Sequence, residues 1–245
     1  MRRAVRHAKR KKPGINNGAA ANPDRLSELP ELLLVHIISL LDMKDAVKTG
    51  VLSKKSKKLW THVDSIVIEH EQENHEEETQ NFVSFVDNIL MPCNCPNIKK
   101  FNLCFFYDGP GKEIVLKWIQ CVSRKNVEFL KLEVFNVGEI PECFYSNSSL
   151  VKLEIHSLTM GSLGSHLVRW TSLKSLYLFE VSTNDEQIAQ IFLGSAMLET
   201  EILRRVWFVT RLDVISPSLK TLKLLEFEAN KIYDPWKLLL LGFIN

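Results

Sequence analysis

Residues 150–155 read "LVKLEI" and residues 173–178 read "LKSLYL". In both, aliphatic residues stand at the first, fourth and sixth places, and the last two are spaced as the side chains on one face of an extended strand are. Outward from this pair the same spacing returns as Val63-Ile66-Ile68, Ile98-Phe101-Leu103, Val127-Leu130-Leu132, Leu198-Glu201-Leu203 and Leu219-Leu222-Leu224. Successive starts lie 35, 29, 23, 23, 25 and 21 residues apart, the period range of repeat proteins. A unit this small cannot bury its own apolar side chains. The units are therefore expected to stack, each inserting a short strand into a sheet of parallel strands over a shared core.

This pattern makes two local predictions. The ninth place of a unit often holds asparagine in such repeats, but here it holds Phe135, Leu158, Val181, Val206 and Phe227, so no asparagine ladder is expected and the stack should be irregular. Glu201 occupies a core place, so the sixth unit is expected either to shift in register or to let its carboxylate reach solvent. The residues between core places face outward: Asn102, Lys131, Glu154, Tyr177, Ile202 and Lys223 at the fifth place, and Cys104, Glu133, His156, Phe179, Arg204 and Leu225 at the seventh. Both signs of charge mix there with aromatic and aliphatic groups, which suits a protein or peptide better than a phosphate backbone.

Upstream, "RLSELPELLLVHIISLLDMKDAVKTGVLS" (25–53) holds a ten-residue window, Leu32 to Leu41, in which His36 and Ser39 alone are not aliphatic. The window is too short for a bilayer, which needs about 20 apolar residues, and too apolar all round for an ordinary surface helix. Three helices are expected across 24–62. Pro30 suits the start of the first, from 30 to 41. Asp42 caps the second with Asp45 three places on, and Ala46, Val47 and Val51 share a side; Ser53 caps a third that ends near Trp60.

Residues 1–12 carry seven Lys and Arg and no acid, so against a formal net charge of +2 the remaining chain carries −5. A mildly acidic body argues against a nucleic-acid-binding surface as a whole. Residues 1–23, rich in basic residues, Gly, Asn, Ala and Pro, are expected to be a disordered arm. No secretory signal core follows that arm, and the five cysteines are odd in number and irregularly spaced, which predicts reduced thiols and a nuclear or cytoplasmic location. Residues 63–230 are assigned to the repeats and 231–245 to a tail.

In residues 24–63 the order of Leu29-Pro30, Ile37-Ile38-x-Leu40-Leu41, Asp45-Ala46-Val47, Leu52-Ser53-Lys54 and Leu59-Trp60 closely resembles the F-box. "IPECFYSNSSLVKLEI" (140–155) and "WTSLKSLYL" (170–178) resemble the leucine-rich segment of plant F-box proteins, in the FBD-like group. Ser56 stands where plant relatives commonly have Trp. The end at "KLLLLGFIN" lacks the C-terminal domain many of these relatives carry, so a shortened chain is expected. The resemblance implies an α/β architecture, with an N-terminal three-helix F-box followed by an irregular leucine-rich-repeat solenoid. It also implies a Skp-type adaptor of a cullin ubiquitin ligase as partner, bound through Leu29, Pro30, Ile37, Ile38, Leu41, Val47, Leu52 and Trp60. Target-binding residues are expected on the outward rows at Lys131, Glu154, Tyr177, Phe179 and Arg204.

Signatures of catalysis are lacking. "DGPGKE" (108–113) lacks the four-residue gap of a phosphate loop and is expected to be a turn. Cys93-Asn94-Cys95 has no second cysteine pair to complete a zinc site. His70 and His75 stand in the acidic run 68–80, which is expected to be a solvated connection or the exposed face of a helix. His156 and His166 are expected on the sheet face or in loops. No catalytic residue, metal or cofactor is assigned, and no membrane span is expected. Two alternatives to a ligase adaptor stand: a shortened F-box protein without a target, and a nucleic-acid-associated protein acting through the basic arm.

Overall fold

The computed structural model describes residues 28–52, 56–70, 76–91, 98–106, 113–134, 137, 140–160, 167–214, 216–226 and 231–233. The basic arm, Ser53, His75, Cys93, Cys95, the turn at 108–112, Phe135, His166, Phe227 and the residues from 234 onward lie outside them. Among the described residues no helix is long and apolar enough to cross a membrane.

Pro30 sits at the N-cap of α1 (Glu31–Ile38), its carbonyl accepting from the Leu33 and Leu34 amides. The helix ends three residues before the predicted Leu41. Ser39 Oγ donates to the His36 carbonyl at 2.7 Å, and the Leu40 and Leu41 amides bond three residues back, tightening the last turn out of α geometry. Asp42 then accepts the Asp45 amide at 2.8 Å and caps α2 (Met43–Lys48), as the sequence predicts. Two 3-10 segments follow, Thr49–Val51 and Ser56–His62, the second standing where the third helix is expected. Leu34, Ile38, Met43, Ala46 and Leu59 form the inside of this module. Val51, predicted to share a side with Ala46, instead faces solvent, because the chain leaves α periodicity at Thr49.

The repeats then form one parallel sheet of seven strands: β1 (Ser65–His70), β2 (Lys100–Phe105), β3 (Phe129–Val134), β4 (Lys152–His156), β5 (Ser175–Phe179), β6 (Thr200–Arg204) and β8 (Thr221–Leu225). Every L-x-x-L-x-L instance supplies one strand. Their fourth places pair as an unbroken row, Ile66, Phe101, Leu130, Leu153, Leu176, Glu201 and Leu222, and their sixth places pair as a second row from Ile68 to Leu224. The longer first spacings hold α3 (Glu76–Leu90) and α4 (Ile114–Ser123), whereas the spacing of 25 holds α5 (Asp185–Gly194). α3 begins within the acidic run, while His70 at its front is buried edge-on to Phe82 and Phe105. A second, two-stranded parallel sheet pairs β7 (Arg211–Asp213) with β9 (Lys231–Tyr233). Strands that short carry no repeat signature.

At the ninth place Leu158, Val181 and Val206 are buried in the core, so apolar packing stands where an asparagine ladder would. In β4, β5, β6 and β8 the turn out of the strand is made one residue earlier. Ser157, Glu180, Arg205 and Glu226, all at the eighth place, have φ of 56, 53, 50 and 48°. Side chains in this left-handed region cost roughly 1 kcal/mol each. Here they are held by amide bonds along the stack, from Ser157 to the Phe179 carbonyl, Glu180 to Arg204 and Arg205 to Leu225.

α5 carries the chain from β5 to β6 and is fixed by a capping box. Asn184 accepts the Gln187 amide at 2.9 Å, and Gln187 Oε1 accepts from the Asn184 amide and from Thr183 Oγ1. The buried Gln187 Nε2 also donates to the Met160 carbonyl at 3.1 Å, tying the helix to the preceding repeat. Gln187→Ala leaves these groups unsatisfied at once. It should lower stability by about 2–3 kcal/mol, read as a lower urea midpoint at unchanged slope, whereas a change within 0.5 kcal/mol would mean water replaces the amide.

Candidate functional site

Two surfaces on this frame stand out, one apolar and one mixed. The apolar one lies on the helical module. α1 turns Leu34 and Ile38 inward, four apart on one face, and this leaves Leu32, Leu33 and Ile37 outside. Leu32 is 83% exposed, Leu40 74%, Val51 88% and Leu52 75%. Leu41 is exposed beside them. Isolated exposed leucines are ordinary, but seven large aliphatic groups exposed within 21 residues of sequence are a density of the kind that marks a docking site.

Of the eight residues assigned to this contact from the sequence, the structure places Ile37, Leu41, Leu52 and Pro30 at the surface. Leu29, Val47 and Trp60 are half-buried and pack against the core. Ile38, 5% exposed, points into the module and supports the patch from beneath rather than lining it. Leu32, Leu33, Leu40 and Val51 are exposed as well and were not assigned from the sequence. In a window aliphatic on every side, hydrophobicity does not say which stripe is the inner one.

The mixed surface is the outer face of the sheet. Strand register sets Lys131, Glu154, Tyr177 and Ile202 side by side in one row and Glu133, His156, Phe179 and Arg204 in the next. Tyr177 and Phe179 are parallel within 5°, with ring centroids 6.4 Å apart, and the His156 ring stands edge-on to each at 5.3 Å. The Arg204 guanidinium lies 5.0 Å from the Phe179 centroid and is held by Glu226 at 2.9 Å. Arg205, 6.0 Å from the same ring, bridges Glu180 and Glu226. Tyr177, Phe179 and Arg204 thus meet in one cluster. Lys131 and Glu154 pair instead within their own strands, with Glu133 at 3.0 Å and Lys152 at 2.6 Å. His156, Arg205, Glu180 and Glu226 complete the cluster and were not assigned from the sequence; the first lies on the outward row, the others at the turns.

The electrostatics of this face favour binding over chemistry. Burial pulls the His156 imidazole below its ordinary range despite the Glu133 carboxylate 4.0 Å away, so it is neutral at pH 7. Burial first and Glu133 second push the Cys104 thiol up to about 11, which leaves it a thiol and a poor nucleophile. Burial opposes the charge of Lys131 more than any one neighbour supports it, but the hydrogen bond to Glu133 and the nearby Glu133 and Glu154 charges together outweigh it and shift the amine upward. Among the described residues no cluster of His, Cys, Asp and Glu has metal-holding geometry. A cavity of about 750 Å³ lies between α2, β1 and α3, lined by Met43, Val47, Phe82 and Phe85 with Lys44 and Lys48 at its polar side.

Residues 26–67 match the family described as F-box domain, and residues 115–234 match the family described as FBD-associated F-box protein At5g56370, LRR repeats. Three curated proteins of Arabidopsis thaliana illustrate the similarity. FBD-associated F-box protein At1g66310 is 34% identical over 188 residues, 74% of this chain and 41% of that one. F-box/FBD/LRR-repeat protein At5g56420 is 31% identical over 82% of this chain and 49% of its own length. F-box/LRR-repeat protein At3g26922 is 29% identical over 86% of this chain and 70% of its own. The chain spans about half the length of most of the curated relatives it matches.

Proposed function

We propose that this chain, which belongs to the F-box proteins with leucine-rich repeats, is the non-catalytic, target-holding subunit of a cullin-type ubiquitin ligase, acting where its partners do, in the nucleus or cytoplasm. One observation carries the proposal. The F-box module leaves Leu32, Leu33, Ile37, Leu40, Leu41, Val51 and Leu52 bare, and such a patch calls for a protein cover that a Skp-type adaptor would supply. Each side chain so covered contributes roughly 1.5–3 kcal/mol of transfer free energy, less the cost of association. The sheet face then presents a target to a ubiquitin-charged enzyme elsewhere in the assembly. Its contribution to the transfer is proximity, and no group of its own need touch the reacting atoms.

Size-exclusion chromatography of the purified chain with a purified plant Skp-type adaptor tests the first half. A stable one-to-one complex is expected at micromolar concentration, and separate elution of both proteins there would sink the ligase role. Affinity purification of the chain after proteasome inhibition tests the second half, because a target held for degradation accumulates under that condition. Recovery of the adaptor with no protein that accumulates on inhibition would favour an F-box protein without a target.

A further inference from the structure

Glu201 stands in the inner row of the sheet, paired across the strands with Leu176 on one side and Leu222 on the other. The register expected to slip does not, because Leu203 pairs with Leu178 and Leu224 in the next row and pins β6 between its neighbours. Nor does the side chain reach solvent. Glu201 is 0% exposed, and neither carboxyl oxygen has a hydrogen-bond partner among the described residues. Both sequence expectations for this residue are thereby corrected.

Among the described residues no charged group acts on it. From the sheet it meets the leucines of β5 and β8, and the charges of its own and the next strand, Arg204 and Lys223, are on the outer face. α5 sends Ile188, Ile191 and Phe192 into the shared core, and β7 sends Leu212. The ionisable residues of those two elements are engaged elsewhere: Asp185 with Thr210 and Arg211, Arg211 with Asp213, and Glu186 exposed. The polar groups buried nearby in sequence are hydroxyls, Ser195 before β6 and Ser216 before β8. Burial alone acts on the acidity of Glu201 and pushes it up to about 8.

We propose that Glu201 is a proton-dependent clasp, which holds β6 and β8 on the stack while it carries its proton and releases them when it loses it. A carboxylate cannot stay in that slot unpaired. In a stack whose units touch only their neighbours, the response of least cost is local opening of the strands around it, rather than unfolding of the whole. The sign follows from the two states. In the opened chain the carboxyl ionises near its ordinary value of 4.5, and in the closed stack near 8. The closed state is therefore at full strength below pH 4.5, weakens as pH rises, and reaches its floor above 8. Opening would carry Arg204 and Lys223 away from Tyr177 and Phe179, dividing the outer face whatever partner uses it.

Hydrogen exchange on the full chain from pH 5 to 9, corrected for intrinsic rates, tests this on the wild type and on Glu201→Leu and Glu201→Gln. In the wild type, amides of β6 and β8 should lose protection by up to about tenfold per pH unit from pH 5 toward 8 and level off above it, while those of β2 and β3 change little. Both variants should abolish that slope, and Glu201→Leu, which matches its row neighbours, should also raise the melting temperature. A wild-type slope retained in both variants, or a loss of protection shared equally by β2 and β3, would overturn the clasp.

Discussion

A chain carrying Ile37→Asp together with Leu40→Asp is expected to fold as the wild type does and to lose its Skp-type adaptor. Both side chains are exposed, Ile37 on α1 and Leu40 in the turn that ends it, so the free chain accommodates two carboxylates in water at little cost. In a complex that covers the patch, each would be an unpaired charge in an apolar contact. Central contacts of that kind commonly cost 2 kcal/mol or more apiece when disrupted, so affinity should fall by about a thousandfold or beyond. Isothermal titration with the purified adaptor measures this, and circular dichroism verifies the fold. Ile38→Asp, one residue away and buried, should unfold the module and so lose binding for another reason. Wild-type affinity in the Ile37/Leu40 double variant would move the adaptor contact off this patch.

The contrast between Ile37 and Ile38 marks where the sequence is legible. Strand positions were readable because a period of two, repeated seven times, admits one register: shifting any strand by one residue would turn leucines out and Lys, Glu and Tyr in. The outward rows followed from the same argument, and with them the meeting of Tyr177, Phe179 and Arg204. The F-box helix offers no such alternation. With Leu32, Leu33, Leu34, Val35, Ile37 and Ile38 all aliphatic, every stripe is a candidate core, and only the fold, which buries Leu34 and Ile38 in the same core as Met43 and Leu59, selects one. The turns were silent for a different reason. Their left-handed positions are filled by Ser, Glu, Arg and Glu rather than Gly, so Ser157, Glu180, Arg205 and Glu226 look like ordinary surface residues in sequence. Glu201 misled by the usual rule that a core acid shifts out of register or reaches solvent, whereas the six apolar residues that share its row outweigh one misplaced carboxyl.

The second large effect separates the two faces of β5. Leu176→Ala with Leu178→Ala removes two side chains that are fully buried in the middle of the sheet. Each truncation costs about 2–5 kcal/mol in such a core, and the sum is comparable to the whole stability of a typical domain, about 5–15 kcal/mol. The double variant should be largely unfolded at 37 °C. Tyr177→Ser with Phe179→Ser acts on the other face, where both rings are half-buried and hold one another, His156 and Arg204. Losing those ring contacts should cost roughly 1–2 kcal/mol, which the stack can bear. Target capture should nevertheless drop, because two rigid aromatics at the centre of the face offer the largest contact area there at low entropic cost. Thermal melts and co-purification on the same preparations give both readouts. Unfolding by the aromatic pair as complete as by the leucine pair would mean that the outer face is a structural layer, and the target surface would then have to lie on another part of the stack.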